Sequence, residues 1–215
     1  MRSKDDFFGV KEGCAEGDCG ACTVVIVEEL QGELVYKSVT SCLLFLPYLH
    51  GKQLLTIEHL SKLNKGSYRL HPIQEILAAY NGSQCGYCTP GIVMRANTLF
   101  QQNSSPTKEQ IINSLTPHLC RCTGYIKVVD SIDYAAKAIR EGKDIPKPKQ
   151  IGKIGKRQPK YDADKLTLGT APYVDDLRFE GMLFGALKFS EFPRAKVINI
   201  ECEEAEKLKG VLRVF

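Results

Sequence analysis

Two periods of apolar and polar residues divide the chain. Thr23–Glu28 reads Thr-Val-Val-Ile-Val-Glu and Glu33–Val39 is a second β-branched stretch, with turn chemistry at Gln31-Gly32 between them. That pattern predicts a β-hairpin. Leu54–Ile57, after His50-Gly51, predicts a short third strand. From Arg69 the period lengthens to that of helices. His71-Pro72 opens one, with Ile73, Ile76, Leu77 and Tyr80 on its apolar face and Asn81-Gly82 as its stop. Thr89-Pro90 opens the next, marked by Ile92, Val93, Ala96, Leu99 and Phe100. Thr107 with Gln110 has the form of a capping box ahead of Ile111, Ile112 and Leu115. A fourth helix is predicted from about Val129 to Arg140, closed by Gly142. Four short helices in succession predict a small bundle. Ile145–Lys165, rich in Pro, Lys and Gly, reads as a linker. Beyond it Met182–Ser190, Lys196–Glu201 and Val211–Phe215 are strand-like, with a helix expected at Glu203–Lys209.

Composition narrows this picture little. The chain has 215 residues, 43% hydrophobic, with a net charge of +4. A local excess of basic residues lies in the linker, and no basic face or nucleic-acid module is expected. No apolar run is long enough to span a bilayer, and no membrane association is expected. Met1–Asp6 is short and charged with no apolar segment after it, so no secretory leader is expected.

The nine cysteines change the picture. A secreted disulfide framework would come with a leader and a short, loop-rich chain. Thiols kept reduced in a cytoplasm and used as metal ligands fit better. Cys14, Cys19 and Cys22 form a C-x4-C-x2-C run with Cys42 downstream, the plant-type ferredoxin spacing. Gly13, Gly17 and Gly20 flank the first two ligands and allow the tight turns such a loop needs. A four-cysteine zinc site favours paired C-x2-C knuckles and matches this set poorly. The second set is Cys85 and Cys88 in C-G-Y-C, then Cys120 and Cys122 in C-R-C. Its spacing alone admits zinc as well as iron–sulfur. Cys202 has no partner at ligand spacing, and the four histidines are scattered.

Three segments carry a resemblance. Lys11–Val24 (K-E-G-C-A-E-G-D-C-G-A-C-T-V), Gly82–Gly91 (G-S-Q-C-G-Y-C-T-P-G) and Leu119–Tyr125 (L-C-R-C-T-G-Y) resemble the signatures of the molybdenum hydroxylases, the xanthine dehydrogenase and aldehyde oxidoreductase family. Ser41–Pro47 (S-C-L-L-F-L-P) is most similar to xanthine dehydrogenase members. The resemblance implies an α+β chain. Residues 1–66 would be a plant-type ferredoxin-like β-grasp domain, 67–144 a four-helix iron–sulfur domain, 145–165 a linker and 166–215 the first β/α segment of a molybdopterin-binding domain. It implies that Cys14, Cys19, Cys22 and Cys42 hold one 2Fe-2S cluster and Cys85, Cys88, Cys120 and Cys122 another. Cys122 and Gln84 would lie beside the molybdopterin. Gly169–Asp176, Gly181–Leu187 and Ser190–Val197 are similar to the opening of the molybdenum domain, with no flavin domain inserted before them. Selenium-dependent xanthine dehydrogenases and flavin-free aldehyde oxidoreductases share that arrangement.

Family members have a strand pair and helix before K-E-G-C, so the resemblance also implies a chain truncated at both ends, with no catalytic residue of its own. What it implies functionally is electron transfer from the molybdopterin centre through two clusters to FAD on a flavin-binding subunit, or to another acceptor. The parent reaction would be purine hydroxylation, with aldehyde oxidation as the alternative. A free-standing ferredoxin-like carrier and a zinc-stabilised interaction module are the competing classes.

Overall fold

The computed structural model describes residues 7–64, 67–146, 152–156 and 158–215. Met1–Asp6 and the middle of the expected linker lie outside the described residues. Two compact units divide the chain at Leu177.

In the first unit, β1 (Thr23–Leu30) is the middle strand of a three-stranded antiparallel sheet, between β2 (Glu33–Thr40) and β3 (Gln53–Leu55). Its apolar run is nearly continuous because both faces are covered. Val25 and Val27 enter the main core, whereas Val24 packs with Val10 and Cys22 in a smaller cluster on the other face. Gln31 and Gly32 both take positive φ, 56° and 85°, the conformation of the tight turns that suit a twisted hairpin. The third strand ends at Leu55, and Ile57 turns into a short 3-10 segment (Ile57–His59) where its side chain is fully buried. A second hairpin follows, β4 (Lys62–Asn64) with β5 (Ser67–Arg69).

Helix α1 (Pro72–Ala79) begins on a capping box: Ile73 N donates to His71 Nδ1 at 3.3 Å, and His71 N donates to Gln74 Oε1 at 2.9 Å. Helix α2 (Thr89–Gln102) is the centre of the unit and packs on β1, β2 and α1. Helix α3 (Lys108–Ser114) has the expected Thr107–Gln110 box. Helix α4 (Ile126–Glu141) starts three residues earlier than its apolar pattern suggests. The left-handed pair Gly124 and Tyr125 breaks the preceding loop there. Ile73, Ile76, Ile92, Ile111 and Ile132 meet in one core.

Helix α5 (Ala163–Leu168) lies where the pattern reads as the end of a linker. It packs against α1 and α2, and the expected boundary at residue 166 falls inside it. The α+β organisation is as the residues imply, a small sheet with helices. The second unit, 178–215, contains one short helix, α6 (Glu203–Glu206). Its three strand-like segments are not assigned as strands. A strand is defined by its ladder partner, and the apolar alternation there meets none within the unit.

His71 gives the fold a pH dependence. Burial lowers its pKa to about 4, whereas an unfolded histidine titrates near about 6.5. Its cap needs the neutral ring, because Nδ1 must accept. The stability is therefore complete above about pH 6.5 and is lost as pH falls toward about 4, by at most about 3 kcal/mol. His71→Asn keeps a cap acceptor without a proton to gain. Thermal unfolding scanned over this range should show a shallower acid decline in the variant; an identical slope would remove His71 from the account.

Candidate metal centres

The loop of residues 11–22 is built by backbone conformations that side chains resist. Gly17 and Gly20 take φ of 82° and 69°, and Ala15 joins them at 58°. The effect is to turn N–H groups inward. Glu16 N lies 3.5 Å from Cys14 Sγ, and Cys42 N lies 3.5 Å from Cys22 Sγ. The backbone N–H groups of Glu16, Cys19 and Asp18, with the Cys19 thiol, bring the Cys14 thiol down to about 7. Cys42 comes from the 3-10 turn Ser41–Leu43, which Ser41 pins through its N and Oγ to Cys22 O at 3.2 and 2.9 Å. Burial pushes the Cys42 thiol up, and the neighbouring Cys22 sulfur adds to it.

The second set joins two helix-end loops. Cys85 and Cys88 lie in the turn between α1 and α2, and Cys88 is the residue that caps α2. Cys120 and Cys122 lie before α4. Tyr125 organises their loop: its hydroxyl donates to His118 O at 2.7 Å and accepts from Cys120 N at 2.6 Å. Burial drives the Cys88 thiol well above its ordinary range, with Cys120 and Cys85 alongside reinforcing it. Burial also raises Cys120, but the Thr123 hydroxyl, 3.0 Å from its sulfur, and the N–H groups of Thr123 and Cys122 outweigh that and leave it lowered.

The thiols within each set sense one another electrostatically: Cys14 feels Cys19, Cys42 feels Cys22 and Cys14, Cys88 feels Cys120 and Cys85, and Cys122 feels Cys85 and Cys120. Among the described residues no three His, Cys, Asp or Glu groups converge on a single metal ion. Four thiolates are the donor set a binuclear iron–sulfur cluster uses. The eight cysteines expected as ligands all lie in the first unit, and Cys202 lies in the second. The residues present fit two such clusters. Gln84, Cys85 and Cys122 form an exposed edge of the second group, whereas Cys120 is buried.

The two ligand loops touch. Leu119 N donates to Cys19 O at 3.0 Å, so the residue before Cys120 is bonded to the carbonyl of a ligand in the other set. Gly91 lies against the same loop, and a Cβ there would sit 2.3 Å from Gly20 O. Thr23 gives its hydroxyl proton to Gly20 O at 2.7 Å and accepts at 3.1 Å from His118 Nε2, which is therefore the protonated ring nitrogen. Several of these supporting residues carried no signal in the sequence. Tyr125 lies inside a recognised motif but gains its role only from the loop's left-handed turn. His118 lies in no motif read from the sequence, and its burial is a tertiary outcome.

Comparison with known proteins agrees with this reading. Residues 56–133 match the 2Fe-2S binding domain family. Over 134 residues, 61% of this chain, the sequence is 45% identical to xanthine dehydrogenase of Blastobotrys adeninivorans, of which it covers 9%. The aldehyde oxidoreductase of Desulfovibrio desulfuricans superposes on 99% of this chain with a TM-score of 0.80 and 30% identity, using 23% of its own length. One chain of quinoline 2-oxidoreductase from Pseudomonas putida aligns at 31% identity and a TM-score of 0.51, covering 63% of this chain and 78% of that one. The chain spans about a tenth of the curated relatives it matches. No helix among the described residues is long and apolar enough to cross a membrane.

Proposed function

Because the chain belongs to the molybdenum hydroxylase family, within its iron–sulfur region, we propose that it relays single electrons between a molybdopterin centre and a flavin or other acceptor. Cys14, Cys19, Cys22 and Cys42 hold the outer 2Fe-2S cluster, and Cys85, Cys88, Cys120 and Cys122 hold the inner one. Each cluster, when bound, takes up and gives back one electron. The protein's part is to aim N–H groups at the sulfurs, exclude water from Cys22 and Cys120, and keep the two loops in contact. The Leu119–Cys19 hydrogen bond carries this reading, since it joins Cys19 of one ligand set to the residue covalently adjacent to Cys120 of the other.

On this proposal residues 1–66, 67–144, 145–165 and 166–215 are the ferredoxin-like domain, the helical domain, the linker and the opening of the molybdenum domain. The exposed edge with Gln84 and Cys122 faces the pterin. The partners are a molybdenum catalytic domain or subunit and a flavin-binding subunit, and the reducing cytoplasm that such thiols require is the compartment. The parent reaction is hydroxylation of a purine such as xanthine or hypoxanthine, supported by the likeness to xanthine dehydrogenase. The fit to an aldehyde oxidoreductase over 99% of the chain supports aldehyde oxidation as the second reading.

Paramagnetic resonance of the dithionite-reduced protein at low temperature tests the relay. Two signals that broaden or split one another at full reduction are expected. Two independent signals, or one alone, would contradict it.

A further inference from the structure

Residues 158–177 do more than connect. Asn81 holds the start of this segment: its Nδ2 donates to Gln158 O at 3.3 Å and its Oδ1 accepts from Lys160 N at 3.3 Å. Gln74 Nε2 then donates to Thr167 O at 3.0 Å and seats α5. Past α5 the backbone runs so near the segment leading into the first ligand loop that a Cβ on Gly169 would lie 2.7 Å from Gly9 Cα. Tyr173 reaches the second set, donating its hydroxyl to Cys85 O at 2.7 Å. Its ring meets that of Tyr87 edge-on, 5.1 Å between centroids, and lies 4.6 Å from Lys11 Nζ. Asp176 Oδ2 faces the same Nζ at 3.4 Å, and the two side chains are only 1% and 4% exposed. Tyr87 completes the circuit by donating to Glu12 O at 2.6 Å.

We infer that Asp176 and Tyr173 are positioning residues of the electron relay, clasping the first ligand loop to the second through Lys11 and fixing the charge that both centres sense. The inference rests on the proposed clusters. Lys11 stands three residues before Cys14, and the ring it covers is bonded to the carbonyl of Cys85. A buried cation there favours the reduced, more anionic state of a nearby cluster, and the facing carboxylate opposes it. The ion pair therefore sets the potential as well as the geometry.

The test is a redox titration of the intact chain with its clusters, followed by paramagnetic resonance. Asp176→Asn should shift reduction to higher potential and Lys11→Met to lower, and the double variant should return toward the parent. Asp133→Asn, which breaks only the exposed Lys137–Asp133 pair, should shift nothing. Tyr173→Phe removes only the bond to Cys85 O and should alter the second centre's line shape while sparing the first. It keeps the ring, and so carries the test if the charge variants fail to retain iron. Unmoved potentials in iron-replete single variants, or an unchanged line shape in Tyr173→Phe, would overturn the inference. A parent protein without iron would instead overturn the reading beneath it.

Discussion

Replacing Cys88 or Cys120 by serine is expected to remove about half of the bound iron and sulfide and to leave one intact cluster. The two thiols sit on opposite loops, one at the start of α2 and one before α4, near enough that Cys120 helps to raise the Cys88 thiol. Serine supplies a harder and far more basic oxygen, which a thiolate-selective iron site binds poorly. Because metal binding is coupled to folding, losing the inner cluster should also loosen the C-R-C loop that Tyr125 holds. The first set shares no ligand with the second, so its signal should survive. Cys202→Ser is the control and should change neither iron nor spectrum. Iron content unchanged in Cys88→Ser and Cys120→Ser would remove these residues from the ligand set.

The second large effect is expected at a position with no ligand role. Gly91→Ala places a methyl 2.3 Å from the carbonyl oxygen of Gly20, a backbone atom that no rotamer change can move aside. The cost should be about 3 kcal/mol of stability, at the upper end of ordinary overpacking. The loops must separate to admit the methyl, which strains the Leu119–Cys19 bond. Calorimetry should therefore show a lowered Tm, and the magnetic interaction between the centres should weaken at unchanged iron content. Gly185→Ala, at a glycine with open space around it, should do neither. A Gly91→Ala protein as stable and as strongly coupled as the parent would show that the close approach is immaterial.

Those two expectations differ in where their information lies. The cysteines proposed as ligands stand out in the sequence because thiolate spacing is a chemical constraint written along the chain: C-x4-C-x2-C, C-G-Y-C and C-R-C are local. The first hairpin was legible for a similar reason, since β-branched runs and a Gln-Gly turn speak for themselves. So did the helix start at His71-Pro72 and the capping box at Thr107–Gln110. Which loops meet was not legible, because that follows from how α1, α2 and α4 bring the two helix-end loops together. Neither was the Lys11–Asp176 pair, whose members are 165 positions apart. A lysine beside Glu12 and an aspartate beside Asp175 look like ordinary solvated charges until the segment after α5 folds across them. Helix α5 was hidden by its own neighbours: six residues, buried through Ala163 and Leu166, at the end of a stretch whose Pro and Lys content reads as linker. The strand-like segments of 182–215 failed in the opposite sense. Their local pattern is clear, but a ladder is a property of two segments and cannot be read from one.

The central claim is that eight thiolates assemble two binuclear iron–sulfur centres, and the most direct measurement is iron, zinc and acid-labile sulfide on anaerobically prepared protein. About four iron and four sulfide per chain are expected, two of each per cluster, with negligible zinc. Stoichiometric zinc without sulfide would contradict the account.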